Sequence, residues 1–210
     1  MSVSYLCMLA SEQGIAAAGD SRLTLMPIPL HLDRSRKVFS APEQHLVWAC
    51  CGLTVWFGMN LAHITDRILR RPGPLRPKLE EMVHRLNPIL RMCQKTRRKD
   101  AVFSLLVGVT EPGQVYLLTL DLLNGTTHRL KRWDAPAMTE AGWRRALRPP
   151  MIPSEQLRGR PVEELAELAR QRVRWAVERD HELSVKNPAH RQTVGGEVRW
   201  VVLRAPRLTS

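Results

Sequence analysis

The chain has 210 residues, 44% of them hydrophobic and 25% charged, with a formal net charge of +12. That balance excludes a disordered chain and predicts one domain spanning 1–210 with a real core. Apolar runs stop well short of the roughly 20 residues of a membrane span, and "MSVSYLCMLASEQG" lacks the basic start and cleavage site of a secretory leader, so a cytoplasmic location is expected.

In chain order, "VSYLCMLA" (3–10) and "GIAAAGD" (14–20) read as two strands joined by a short turn containing Gly14. A Pro-rich loop, "LMPIPLHLD", follows. "KVFSA" (37–41) and "HLVWACC" (45–51) read as a second hairpin turning at "PEQ". From Thr54 the spacing of Val55, Met59, Ile64, Ile68 and Leu69 predicts a helix that ends before Pro72. A second helix is expected from about Arg76 to Arg97, with Pro88 inside it.

Three more strands are expected at 101–109, 114–121 and 125–133, with turns at "EPG" and "NG". The segment around 134–160 reads as an irregular, Pro-rich insertion; a ring contact, a lid and an elaborated loop all fit its length. "PVEELAELARQRVRWAVERDHEL" is a strongly amphipathic helix with Pro161 in its first turn, and "EVRWVVLRA" is a final strand. Grouped strands and grouped helices predict an α+β fold of sheets packed face to face with helices outside.

The basic excess is spread along the chain, with concentrations at 67–78, 91–100 and 142–148. With only 3 Phe and 2 Tyr to stack on bases, it is a poor nucleic-acid footprint, although 6 Trp keep that class in view. Cys7, Cys50, Cys51 and Cys93 form no CxxC pair, so buried free thiols are expected, with no metal and no cofactor.

"GIAAAGDSRLT", Lys37 in "RKVFS" and the small-residue bend "WACCGLT" together resemble the proteasome β-subunit family of N-terminal nucleophile hydrolases, whose bacterial members include HslV and Anbu. The resemblance continues through the paired strands "AVFSLLVGVTEPGQVYLLTLDLLNGTT" and the closing "RQRVRWAVERD…VGGEVRWVVL", and so covers nearly the whole chain. It implies a four-layer αββα sandwich of two mainly antiparallel sheets. It also implies a peptidase whose nucleophile is the first residue of the mature chain, with that residue's own α-amino group as base. An amine of pKa about 7.7–8.0 suits that task near neutral pH.

By this resemblance Asp20 and Lys37 are the catalytic charge pair, although two opposite charges also satisfy one another without chemistry. Threonine, the family's usual nucleophile, does not occur before Thr24; counting back from Asp20 reaches Ser4, which "MSV" precedes. Ser4 would need autolytic removal of residues 1–3, whereas excision of the initiator methionine alone would expose Ser2. The bend would supply an oxyanion-stabilising N–H from Cys51 or Gly52, though Cys51 also reads as a small buried thiol. Thr24 and Ala49 would contact an extended substrate. Asp180 matches a late acidic residue supporting the catalytic network, or is only a helix-end carboxylate. The family's "SGG"-like segment has no counterpart in "APAMTEAGW". A homo-oligomeric ring acting on peptides or unfolded proteins, with an ATP-dependent unfoldase as the expected partner, is what the resemblance implies; composition argues against a membrane role and leaves a basic nucleic-acid-binding protein as a distant alternative. The same fold without turnover, as a structural or binding subunit, is the competing expectation.

Overall fold

A computed structural model describes residues 4–25, 30–32, 35–53, 55–56, 59–97, 100–142, 147–187 and 192–206. Strands β1 (Leu6–Ser11) and β2 (Gly14–Asp20) form the first hairpin, with Leu6 opposite Gly19 and Ser11 opposite Gly14. β3 (Leu23–Leu25) and β4 (Leu30–Leu32) make a small ribbon within the stretch expected to be loop. β5 (Val38–Ala41) and β6 (Leu46–Gly52) are the second hairpin, turning through a 3₁₀ turn at Pro42–Gln44.

The expected helix from Thr54 is corrected. Thr54 lies outside the described residues, and Val55 and Met59 belong to a two-stranded ribbon, β7 (Val55–Trp56) with β8 (Met59–Asn60). Helix α1 (Leu61–Leu69) starts where the Asn60 side chain accepts from the His63 N–H at 3.0 Å, an N-cap that satisfies one orphan donor. α2 (Leu75–Arg97) follows with Pro88 inside it. β9 (Val102–Glu111), β10 (Gln114–Leu123) and β11 (Thr127–Asp134) form a meander.

The region expected to be irregular contains a strand, β12 (Ala137–Ala141), and a 3₁₀ turn at Ser154–Leu157. β12 pairs with β1 from Leu6 opposite Ala141 to Ala10 opposite Ala137. Its five residues alternate between buried and half-buried, a period too short to stand out in the sequence. α3 (Val162–Lys186) and β13 (Val198–Arg204) complete the chain.

The two large sheets are antiparallel, in orders β12-β1-β2-β13 and β11-β10-β9-β6-β5. Three buried clusters define the layers. Leu6, Met8, Ile15 and Ala17 meet Val47, Ala49, Leu106 and Leu117 between the sheets. Trp48, Phe103 and Leu105 pack outward against Leu69, Met82 and Leu86 of α1 and α2. Tyr5, Cys7 and Leu9 pack outward against Leu165, Ala169 and Val173 of α3. The result is an α+β sandwich layered helix, sheet, sheet, helix. Strands covered on both faces must be apolar on both faces, which is why β1 and β2 read as continuous apolar runs rather than alternating ones. Gly108 permits the close approach of the sheets: a Cβ there would stand 2.8 Å from side-chain atoms of both Ile15 and Val47. Among the described residues, no helix is long and apolar enough to cross a membrane.

Candidate active site

Hairpin register builds the site. With Leu6 opposite Gly19, continuing the register places Tyr5 opposite Asp20, and two hydrogen bonds join them. The Asp20 N–H donates to the Tyr5 carbonyl at 3.3 Å, and the Tyr5 N–H donates to Asp20 Oδ1 at 2.9 Å. Asp20 Oδ2 accepts from the Lys37 ammonium at 3.0 Å and from the N–H groups of Arg22 and Gly195, each at 3.3 Å. Ser4, immediately before Tyr5, is thereby fixed beside the same ammonium: Lys37 Nζ donates to Ser4 Oγ at 2.7 Å.

Lys37 reaches this point because it immediately precedes β5 and faces the ends of β1 and β2 across the sandwich. Its ammonium has three protons and three acceptors: Ser4 Oγ, Asp20 Oδ2 and the Arg22 carbonyl at 2.5 Å. Ser4, Asp20 and Lys37 are 2%, 1% and 3% exposed, so the pair sits where charge interactions are strong and loss of either partner is costly. Burial pushes the Asp20 carboxyl above its ordinary range, while the neighbouring ammonium and the Tyr5 and Gly195 N–H groups pull it back down. In this contact Ser4 Oγ is the acceptor, so the bond to Lys37 does not use the serine's own proton.

Cys51 and Gly52 end β6 beside this cluster. The Cys50 N–H donates to the Lys37 carbonyl at 3.0 Å and the Leu53 N–H to the Val102 carbonyl at 2.7 Å, so N–H groups alternate between the β5 and β9 sides. Gly52 has φ +92, and a Cβ there would come within 2.3 Å of the Val102 carbonyl oxygen, so the bend requires glycine. The Cys51 side chain turns into the core between the sheets, where burial holds its thiol protonated well above the ordinary value.

Asp180 is fully buried in the last turns of α3. Its Oδ2 accepts from the N–H groups of Thr193 and Val194 at 2.6 and 2.7 Å, which anchors the segment that delivers the Gly195 N–H to Asp20. Thr24 lies in β3, with its backbone opposite His31. Ala49 is fully buried between the sheets, opposite Val38, and its strand is flanked by β5 and β9 on both edges. Ser2 lies outside the described residues. Among the described residues no group of three or more His, Cys, Asp or Glu is placed to hold a metal.

Sequence reasoning missed a second polar cluster, on the α3 side of β1. Glu140 of β12 accepts from the Tyr5 hydroxyl, from Arg172 Nε at 2.8 Å and from a terminal Arg172 nitrogen at 2.6 Å. The available signal was Arg172 itself, a charge in the buried stripe of α3 between Ala169 and Val173.

No protein-family model and no curated protein matches the sequence. Solved structures do. Anbu (ancestral beta-subunit) from Yersinia bercovieri superposes with a TM-score of 0.54 at 15% identity, covering 95% of this chain and 81% of that one. A Gly-1 mutant of Anbu from Hyphomicrobium sp. strain MC1 gives 0.55 at 12% identity, covering 96% and 81%. At such identities the likeness is one of fold: this chain has the proteasome-like fold that Anbu has.

Proposed function

We propose that this chain is a proteasome-like N-terminal-nucleophile peptidase with Ser4 as nucleophile. The observation that carries this reading is the buried Lys37 ammonium, 2.7 Å from Ser4 Oγ and 3.0 Å from Asp20 Oδ2. In the encoded chain the Ser4 nitrogen is a peptide amide, so maturation comes first. Ser4 Oγ attacks the Val3 carbonyl, the Val3–Ser4 C–N bond breaks as the nitrogen takes up a proton, and water hydrolyses the resulting ester. That releases residues 1–3 and leaves a free α-amine on Ser4. The amine then takes the Oγ proton as Oγ attacks a substrate carbonyl, and returns it to the departing amine. Water finally hydrolyses the acyl-serine.

Lys37 stabilises negative charge building on Oγ, and Asp20 holds Lys37 in place. The Gly52 N–H, on the β5 side of β6, is the oxyanion donor in this scheme, and such donors contribute about 3–4 kcal/mol. Asp180 supports the site through Thr193, Val194 and Gly195. The Thr24 backbone pairs with extended peptide, and the working form is a cytoplasmic homo-oligomer acting on peptides or unfolded protein, with an ATP-driven unfoldase as partner.

A second reading is favoured by the amide nitrogen and 2% exposure of Ser4: a proteasome-like subunit that keeps the pocket without turnover. Intact mass of the purified chain, before and after treatment with phenylmethylsulfonyl fluoride, separates the two. Loss of residues 1–3 followed by one sulfonyl adduct on Ser4 supports the peptidase. Loss of Met1 alone with the adduct on Ser2 moves the nucleophile there. An unprocessed, unlabelled chain that is nonetheless assembled supports the second reading, and a 24 kDa species in sedimentation removes the oligomer.

A further inference from the structure

We propose that Glu140 and Arg172 form a brace whose task is to position Ser4 by gripping the side chain of the residue after it. This rests on the reading of Ser4 as nucleophile. Strand β1 begins at Leu6, Tyr5 adds one backbone hydrogen bond from Asp20 ahead of it, and a chain that ended at Ser4 would tend to fray there. On the backbone side Tyr5 is held by Asp20. On the side-chain side its hydroxyl donates to Glu140 Oε1, on the next strand of the sheet.

Glu140 is itself held. Arg172 donates to Oε1 through two nitrogens, and Arg148 Nε donates to Oε2 at 3.2 Å. Arg172 is held in turn, donating to the carbonyls of Pro150 at 2.6 Å and Pro149 at 3.3 Å. Side chains of Glu140 and Arg172 are 2% and 7% exposed. A buried ion pair adds little stability over well-packed apolar residues of the same volume. What it adds is direction, since a planar guanidinium fork and a carboxylate meet in only a few geometries. Burial also pushes the Tyr5 phenol far above its ordinary range, so it stays a donor at every working pH. The segment 134–160 thus acquires a role: it carries Glu140, Arg148 and the two proline carbonyls, and clamps the start of β1 to α3.

The test uses the full chain and its Tyr5→Phe variant, which removes one oxygen and leaves the Glu140–Arg172 pair intact. Amide hydrogen exchange at Tyr5 should quicken about tenfold, with the Thr193 and Val194 amides, anchored by Asp180, unchanged. Sulfonylation of Ser4 by phenylmethylsulfonyl fluoride should lose about tenfold in maximal rate, with the half-saturating concentration kept. Arg172→Lys, which keeps the charge without the fork, should fall between wild type and Tyr5→Phe on both readouts. Unchanged Tyr5 exchange overturns the brace whatever the chemistry does, as does a variant that loosens everywhere or fails to fold. A wild-type chain that is neither processed nor labelled removes the nucleophile reading, while the exchange comparison still judges the brace.

Discussion

At the scale of single residues, Lys37 carries the most consequence. Its ammonium is the shared partner of Ser4, Asp20 and the Arg22 carbonyl, and removing it leaves a fully buried carboxylate without its counter-charge. Lys37→Ala should therefore abolish both release of residues 1–3 and labelling of Ser4. It should also cost about 3–5 kcal/mol of stability, the usual effect of breaking a buried pair from one side. Lys37→Met combined with Asp20→Asn should recover much of that stability in urea denaturation but none of the chemistry. Equal stability losses in the single and double variants would mean that the pair's charge is not what holds this corner. Ser4, Asp20 and Lys37 were singled out by resemblance; what the residues themselves made legible was the β1–β2 hairpin, a local feature whose pairing sets the end of one strand against the start of the other. The Tyr5, Glu140 and Arg172 cluster was not legible, because it joins positions 135 and 32 residues apart that only layer packing brings together.

At the scale of elements, the sequence showed which strands and helices exist better than where the short ones begin. β1 and β2 are unbroken apolar runs, and α2 and α3 are long and periodic. β12 is five residues at a sheet edge, and α1 begins later than its apolar spacing implied because Val55 and Met59 mimic a helical repeat while lying in a ribbon. The end of β12 makes a sharp prediction. Gly142 has φ +74, and a Cβ there would lie 2.5 Å from the Ser4 carbonyl oxygen and 2.7 Å from the Cys51 sulfur. Gly113 has nearly the same backbone, φ +75, with nothing within 4 Å. Gly113→Ala should cost about 1–2 kcal/mol for the left-handed conformation alone. Gly142→Ala should cost that plus about 1–3 kcal/mol for the clash, and should displace Ser4. Thermal melts of the two variants give the comparison; equal losses would mean that β12 does not press on the site.

At the scale of the whole molecule, each buried interface carries thiols: Cys50 and Cys93 under α1 and α2, Cys51 between the sheets and Cys7 under α3. Burial pushes the Cys50 thiol from an ordinary value of 9.0 up to about 12, and raises Cys7 and Cys51 as well. Unfolded thiols ionise first, so above about pH 9 the folded state binds more protons and stability falls as pH rises. The slope is about 1.4 kcal/mol per pH unit for each such thiol once its unfolded form is ionised. Urea midpoints measured from pH 8 to 10.5 should decline, and Cys50→Ala should flatten the decline by one thiol's share; parallel curves would show that Cys50 ionises as freely folded as unfolded. The depth of β1 has one more consequence, for the order of events in the life of the chain. A foreign protease must grip an extended segment on both sides of the bond it cuts, and residues 4–11 are buried once the sandwich closes. In the proposed scheme another endoprotease can then cut the Val3–Ser4 bond only before the sandwich closes, and afterwards the folded molecule cuts it itself. In the second case an intact sandwich is the licence for cleavage, and a misfolded copy never arms itself.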